Sequence, residues 1–164
     1  MSESQQQAGL ELSQALGRIP SGIYILTVRY EEHSTGMLAS WVQQAGFEPP
    51  TLSVAVRRDR YVAKWIESSR RFTLNQVAKG NKNLVRHFGR GFEPGAPAFE
   101  GLELLDEASG NPVLASAMAF LDTEVLSSCL SGDHQIFLSR IVGGRILNSD
   151  SEPMIHVRHN GFHY

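Results

Sequence analysis

The stretch Gly36 to Arg60, GMLASWVQQAGFEPPTLSVAVRRDR, constrains the fold of this chain more than any other. Leu38, Ser40, Val42 and Gln44 alternate with Met37, Ala39, Trp41 and Gln43, the period-two pattern of a strand with two distinct faces. Pro49-Pro50 closes the strand into a loop, since proline gives no amide hydrogen to a ladder. A second strand, Thr51–Val56, follows, and then a basic turn with Arg57, Arg58 and Arg60 that opens a helix. Taken alone, the stretch fits two descriptions. One is an amphipathic hairpin with surface arginines. The other is a platform for a flat heteroaromatic ligand: small and amide side chains admit backbone hydrogen bonds to its edge, and guanidinium forks grip a phosphate.

At 164 residues the chain suits one domain with a sizeable core and is short for two. A net charge of −2 gives no reason to expect nucleic acid or an anionic membrane as partner. The single cysteine, Cys129, excludes an intrachain disulfide framework and a cysteine zinc cluster, and it fits a reducing cytoplasm. Its apolar-rich strand predicts a buried, inert thiol. Residues 1–9 are polar and Gln-rich, unlike a signal peptide, and read as a disordered tail ahead of one domain over 10–164. The longest apolar run, Ile19–Val28, is broken by Pro20, Ser21, Gly22 and Thr27 and is too short to cross a bilayer. A soluble cytoplasmic protein is expected.

Leu10, Leu12, Ala15, Leu16 and Ile19 recur at helical spacing, which predicts a short helix stopping before Pro20. Gly22 to Tyr30 reads as a strand that joins the organising stretch in a hairpin through Glu31–Gly36. Asp59 is the expected N-cap of a helix over Arg60–Ser68, with Tyr61, Val62, Trp65 and Ile66 on its apolar face. Arg71–Val77 returns as a strand, and Asn81–Phe88 forms another short helix. Gly89 to Gly101 is a Gly/Pro-rich loop; its Gly-Arg-Gly follows no strand and is no dinucleotide fingerprint. Ala117–Leu130 and Gln135–Leu147 make a long hairpin turning at Ser131–His134, and Pro153–His159 a last strand. The whole is mainly β, a β-barrel with short helices.

His156, His159 and His163 invite a metal reading, but strand positions three apart face opposite ways and no Glu or Cys stands at ligand spacing. His33 and His87 read as surface positions. No G-x-S-x-G elbow is present, and Ser131-Gly132-Asp133-His134 crowds its groups on one turn, so hydrolase chemistry is not expected.

Ala39-Ser40-Trp41, Phe47-Glu48-Pro49-Pro50 and Leu52-Ser53-Val54 are followed by Phe72-Thr73-Leu74-Asn75, Asn83-Leu84, Phe88, Gly132-Asp133-His134 and Tyr164. That order resembles the flavin reductase-like family of FMN-binding split barrels. Ala15–Ile19, Met37–Val42, Gly132–His134 and His156–Tyr164 together look like the C-terminal flavin reductase domain of cyanobacterial-type flavodiiron proteins. The likeness covers nearly all the chain beyond Gly9; no single motif is specific, and their order is.

The resemblance implies a split barrel, a homodimer, and FMN near the subunit interface. Ala39, Ser40, Trp41, Gln43 and Gln44 would line the flavin, Arg58 and Arg60 would take its phosphate, and His134 would stand on the nicotinamide side. The implied activity is hydride transfer from NADH or NADPH to FMN, which depends on ring stacking more than on a side-chain acid or base. The alternative is a non-catalytic FMN-carrying electron-transfer or interaction module. Either reading leaves an electron-acceptor protein as a partner. The commoner reductase pattern has Ser or Thr where Trp41, Gln43 and Gln44 stand.

Overall fold

The hairpin that the alternation predicts is present, and so is the barrel. In this computed structural model, which describes residues 3–107 and 109–162, the chain opens with helix α1, Glu3–Gly17. Then come strands β1 (Ser21–Gly22), β2 (Tyr24–Tyr30), β3 (His33–Ala39), β4 (Val42–Phe47) and β5 (Pro50–Arg57). Helix α2 (Tyr61–Ser69), strand β6 (Arg71–Gln76) and helix α3 (Lys82–Phe88) follow. The remaining strands are β7 (Leu104–Leu105), β8 (Val113–Leu114), β9 (Ala119–Ser131), β10 (His134–Ile146) and β11 (Ile155–His156).

One antiparallel sheet carries the fold, in the order β3-β2-β6-β9-β10-β5-β4. Its outermost strands, β3 and β4, are consecutive in the chain and joined only by Ser40 and Trp41. A flat sheet seven strands across would hold its edges about 29 Å apart at ~4.8 Å per strand. The three Cα steps from Ala39 to Val42 reach at most about 11 Å. The sheet must therefore curl until its edges meet. Among the described residues no ladder joins them, which leaves the barrel split along that seam.

The continuous strand expected over 37–44 is thus two strands on opposite edges. The loop expected at Pro49-Pro50 shrinks to a two-residue turn, Glu48-Pro49, with Pro50 already in β5. Helix α1 begins at Glu3, well before Leu10, so residues 3–9 of the expected tail are helical. Asp59 does not cap α2: its carboxylate lies 2.6 Å from the Arg57 guanidinium, and Arg60 stands at the N-cap without a side-chain bond. Asn81 does cap α3, accepting from the Leu84 amide. The last strand is two residues long rather than seven.

Two buried clusters flank the sheet. Val28, Val54, Val56, Ile66, Phe72 and Phe137 fill the barrel under α2, and each such side chain stabilises the fold by about 1.5–3 kcal/mol. Ile25, Val77, Leu84, Phe88 and Leu114 form the second under α3, with Phe92 and Phe99 from the loop after it packed alongside. Trp65 packs against the first cluster, as its helical spacing predicts. Among the described residues, β9 beyond Val125 has β10 as its sole ladder partner, and residues 126–131 are exposed. Cys129 lies in that segment, so the thiol expected to be buried is exposed. Its apolar neighbours Leu126 and Leu130 are exposed with it.

The C-terminal segment clasps the N-terminal one. β11 pairs with β1, the Arg158 amide donates to the Gly17 carbonyl, and the Gly161 amide to that of Ser13. Among the described residues no helix is long and apolar enough to cross a membrane.

Candidate functional site

The seam brings distant residues together at Trp41. Its indole lies 4.6 Å from the His134 imidazole, centroid to centroid, and the Arg158 guanidinium stands 5.2 Å from its centre. β5 pairs with β10 so that Arg57 faces His134, and the Trp41 carbonyl accepts from the Ala55 amide. The tip of the long hairpin is thereby laid beside the seam. Gly132, at φ +60, allows the tight turn there. His134 Nδ1 lies 2.8 Å from the Asp133 carboxylate. That hydrogen bond, with the imidazole's charge behind it, holds the Asp133 carboxyl below its usual range.

Ala39 and Ser40 are buried, Ala39 within the barrel core, so Ala39 presents only backbone to a ligand. Gln43 and Gln44 are exposed on β4, their amides turned to neighbouring backbone carbonyls. Arg58 anchors the turn through its amide, which donates to the Asp133 carbonyl.

Arg60 looks the other way. It lines a cavity of about 420 Å³ with Gly36 and Met37 of β3, Arg90 and Phe92 from the loop after α3, and Tyr61. Arg58 lies outside that lining. Two chain paths tie the cavity to the seam. Met37 leads along β3 to Trp41, at most about 14 Å away by chain length. Arg60 leads back three residues to Arg57, opposite His134. A flat ring at the seam and an anionic tail in the cavity would thus lie within one molecule's reach.

Arg90 and Arg158 escape the sequence reading. Arg90 sits in the Gly-Arg-Gly that lacks a preceding strand, and Arg158 beside histidines weighed only for metal. Among the described residues no group of His, Cys, Asp or Glu is placed to hold a metal ion; His163 lies outside them. His87, expected at the surface, is half-buried with Nε2 2.8 Å from the Ala98 carbonyl oxygen.

Comparison with known proteins bears on the family and the fold. The profile of the flavin reductase like domain matches residues 16–163. Diflavin flavoprotein A 1 of Synechocystis is 39% identical over 155 residues, which is 94% of this chain and 27% of that protein. The chain therefore spans little more than a quarter of the length of such relatives. Among solved structures, the NADH:FAD oxidoreductase SgcE6 of Streptomyces globisporus superposes with a TM-score of 0.82 at 24% identity, over 96% of this chain and 92% of that one. An FMN-binding protein of Thermus thermophilus gives 0.69 at 26% identity, over 77% and 72%. The curled sheet is the split barrel that the order of motifs led us to expect, and the chain belongs to the flavin reductase-like domain family.

Proposed function

We propose that this chain binds FMN at the seam and passes it a hydride from NADH or NADPH. The observation that supports this most is the short chain path along β3 from Met37, in the arginine-lined cavity, to Trp41, whose ring packs on His134. Ala39 and Ser40 offer backbone groups to the edge of the flat ring, and Trp41 a polarisable face. Gln43 and Gln44 supply exposed amides, Arg60 holds the phosphate, and Arg58 adds positive charge at the turn. His134 marks the nicotinamide side, its ring steadied by Asp133 and Trp41. Bound flavin would supply the hydride acceptor itself, so the protein's part is to position the two rings and exclude water.

We place the protein in the cytoplasm as a homodimer. An exposed free thiol suits a reducing compartment, and the exposed Leu126 and Leu130 offer a surface for a second copy. The length of the diflavin relatives supports an electron-accepting protein or domain as partner.

The test is anaerobic mixing of flavin-loaded protein with NADH and with NADPH. Bleaching of the flavin absorbance by one of them is expected. Retained colour with both, followed by bleaching with dithionite, would leave only a flavin-carrying module.

A further inference from the structure

The cavity beside α2 holds a second cation that the resemblance did not place there. Arg60 comes from the turn after β5 and Arg90 from the loop after α3, thirty residues apart, yet both line it. Gly91 shows how closely these segments approach: a Cβ built on it would lie 3.2 Å from Arg60 Nη1. Its φ of +73° is also one that side-chain-bearing residues rarely adopt. The Arg60 guanidinium therefore lies against the backbone next to Arg90. Two like charges on one cavity wall repel, and an anion held between them offsets that repulsion. Of the carboxylates lining the cavity, Asp59 is engaged by Arg57 at 2.6 Å, and Glu93 is the other.

We propose that Arg90 is a specificity-determining residue: with Arg60 it forms a two-guanidinium grip for a phosphomonoester dianion, so the cavity selects FMN over FAD and riboflavin. The proposal rests on the flavin reading above. A phosphomonoester carries nearly two negative charges at neutral pH and three terminal oxygens, which two forked cations can share. Each phosphate of FAD carries one charge and is esterified or bridged on two sides. Riboflavin has no phosphate. Glu93 opposes any anion here, so the grip works against one carboxylate that a neutral amide would remove.

The experiment is titration of wild type, Arg90→Ala, Arg90→Lys and Glu93→Gln with FMN, FAD and riboflavin, read by flavin fluorescence quenching, with circular dichroism as the folding control. Arg90→Ala should weaken FMN by about tenfold or more while changing riboflavin by less than about twofold. Arg90→Lys should keep part of the preference, because it keeps the charge and loses the fork. Glu93→Gln should tighten FMN alone. Wild-type FMN affinity should rise as pH passes the second phosphate ionisation near pH ~6, and Arg90→Ala should flatten that rise. Equal losses for FMN and riboflavin, or none for either, would overturn the proposal. A wild type that binds all three flavins alike would overturn it while leaving the flavin site standing. A wild type that binds none would remove the flavin reading and this proposal together.

Discussion

Replacing Gly36 by alanine tests how the cavity wall is built, because the sign of the effect is diagnostic. Gly36 lies inside β3, opposite Thr27 of β2. An alanine in a strand interior is ordinarily more stable than glycine by about 0.5–1 kcal/mol, since the unfolded chain has less freedom to lose. Here a Cβ would stand 2.6 Å from Phe88 Cε1 and 3.1 Å from Cδ1. The Phe88 ring is buried, with Phe92 and Phe99 at centroid distances of 5.7 and 5.9 Å. It cannot withdraw without moving them. Overpacking of this kind costs about 1–3 kcal/mol, so Gly36→Ala should destabilise despite the gain in chain entropy. With a urea slope of about 1–3 kcal/mol per molar, the midpoint should fall by very roughly 0.5–1 M.

Phe88→Leu trims the ring and should also destabilise, by less than the 3–5 kcal/mol typical of Phe→Ala. Combined, the two changes should fit each other, with the double variant more stable than the sum of the singles by about 1 kcal/mol or more. Urea unfolding followed by circular dichroism measures all four corners of the cycle. A Gly36→Ala protein as stable as wild type, or a double variant additive within about 0.5 kcal/mol, would refute the packing argument. Because Phe92 shares the lining with Arg90, Gly36→Ala should also weaken FMN binding.

Three further outcomes are expected. His134→Ala should slow flavin reduction by NAD(P)H by about tenfold to a hundredfold and leave FMN affinity and dithionite reduction unchanged; equal rates in rapid mixing would take His134 out of the site. Sedimentation at micromolar concentration should give twice the mass of one chain, and a monomer would dismiss the homodimer. Hydrogen bonds from Arg140 and then Arg71 hold the Glu124 carboxyl below its usual range, so its contribution is present above pH ~4.3 and lost as pH falls through the lower folded value. Glu124→Gln should therefore flatten the loss of stability between about pH 5 and 3, whereas parallel curves would show that the pair contributes nothing.

The strands were legible because alternating side chains report directly on two-faced backbone, and the hairpins because polar turns sit between them. The break at Ser40–Trp41 was hidden for the same reason: the alternation runs on through both residues, while the chain passes from one sheet edge to the other. Only the ladder partners, which lie far off in sequence, reveal it. Trp41 and His134 could be named from the order of motifs, but their contact depends on β5 pairing with β10. Arg90 belongs to a loop without period, and nothing local ties it to Arg60. Cys129 misled because its apolar neighbours suggested a core, when β9 there has outrun β6 and exposes both faces. Asp59 misled because a good cap residue had a stronger partner two residues back.

The seam has a consequence for how the chain finds its fold. Three hairpins of the large sheet, β2–β3, β4–β5 and β9–β10, join near neighbours and can form early. Closing the barrel requires pairings of much longer reach, β2 with β6, β6 with β9 and β5 with β10, and outside the barrel β1 pairs with β11 between Ser21 and His156. Loop-closure entropy must be overcome before such contacts return anything, so folding in milliseconds to seconds is expected rather than microseconds. The clasp of β1, β11 and α1 joins segments most distant in sequence, and it should be the last to form and the first to open. Amide hydrogens at Arg158 and Gly161 would then exchange well before those of β2 and β6. The Trp41 seam, lying between the early hairpins and the late clasp, would be assembled only when the whole sheet has closed.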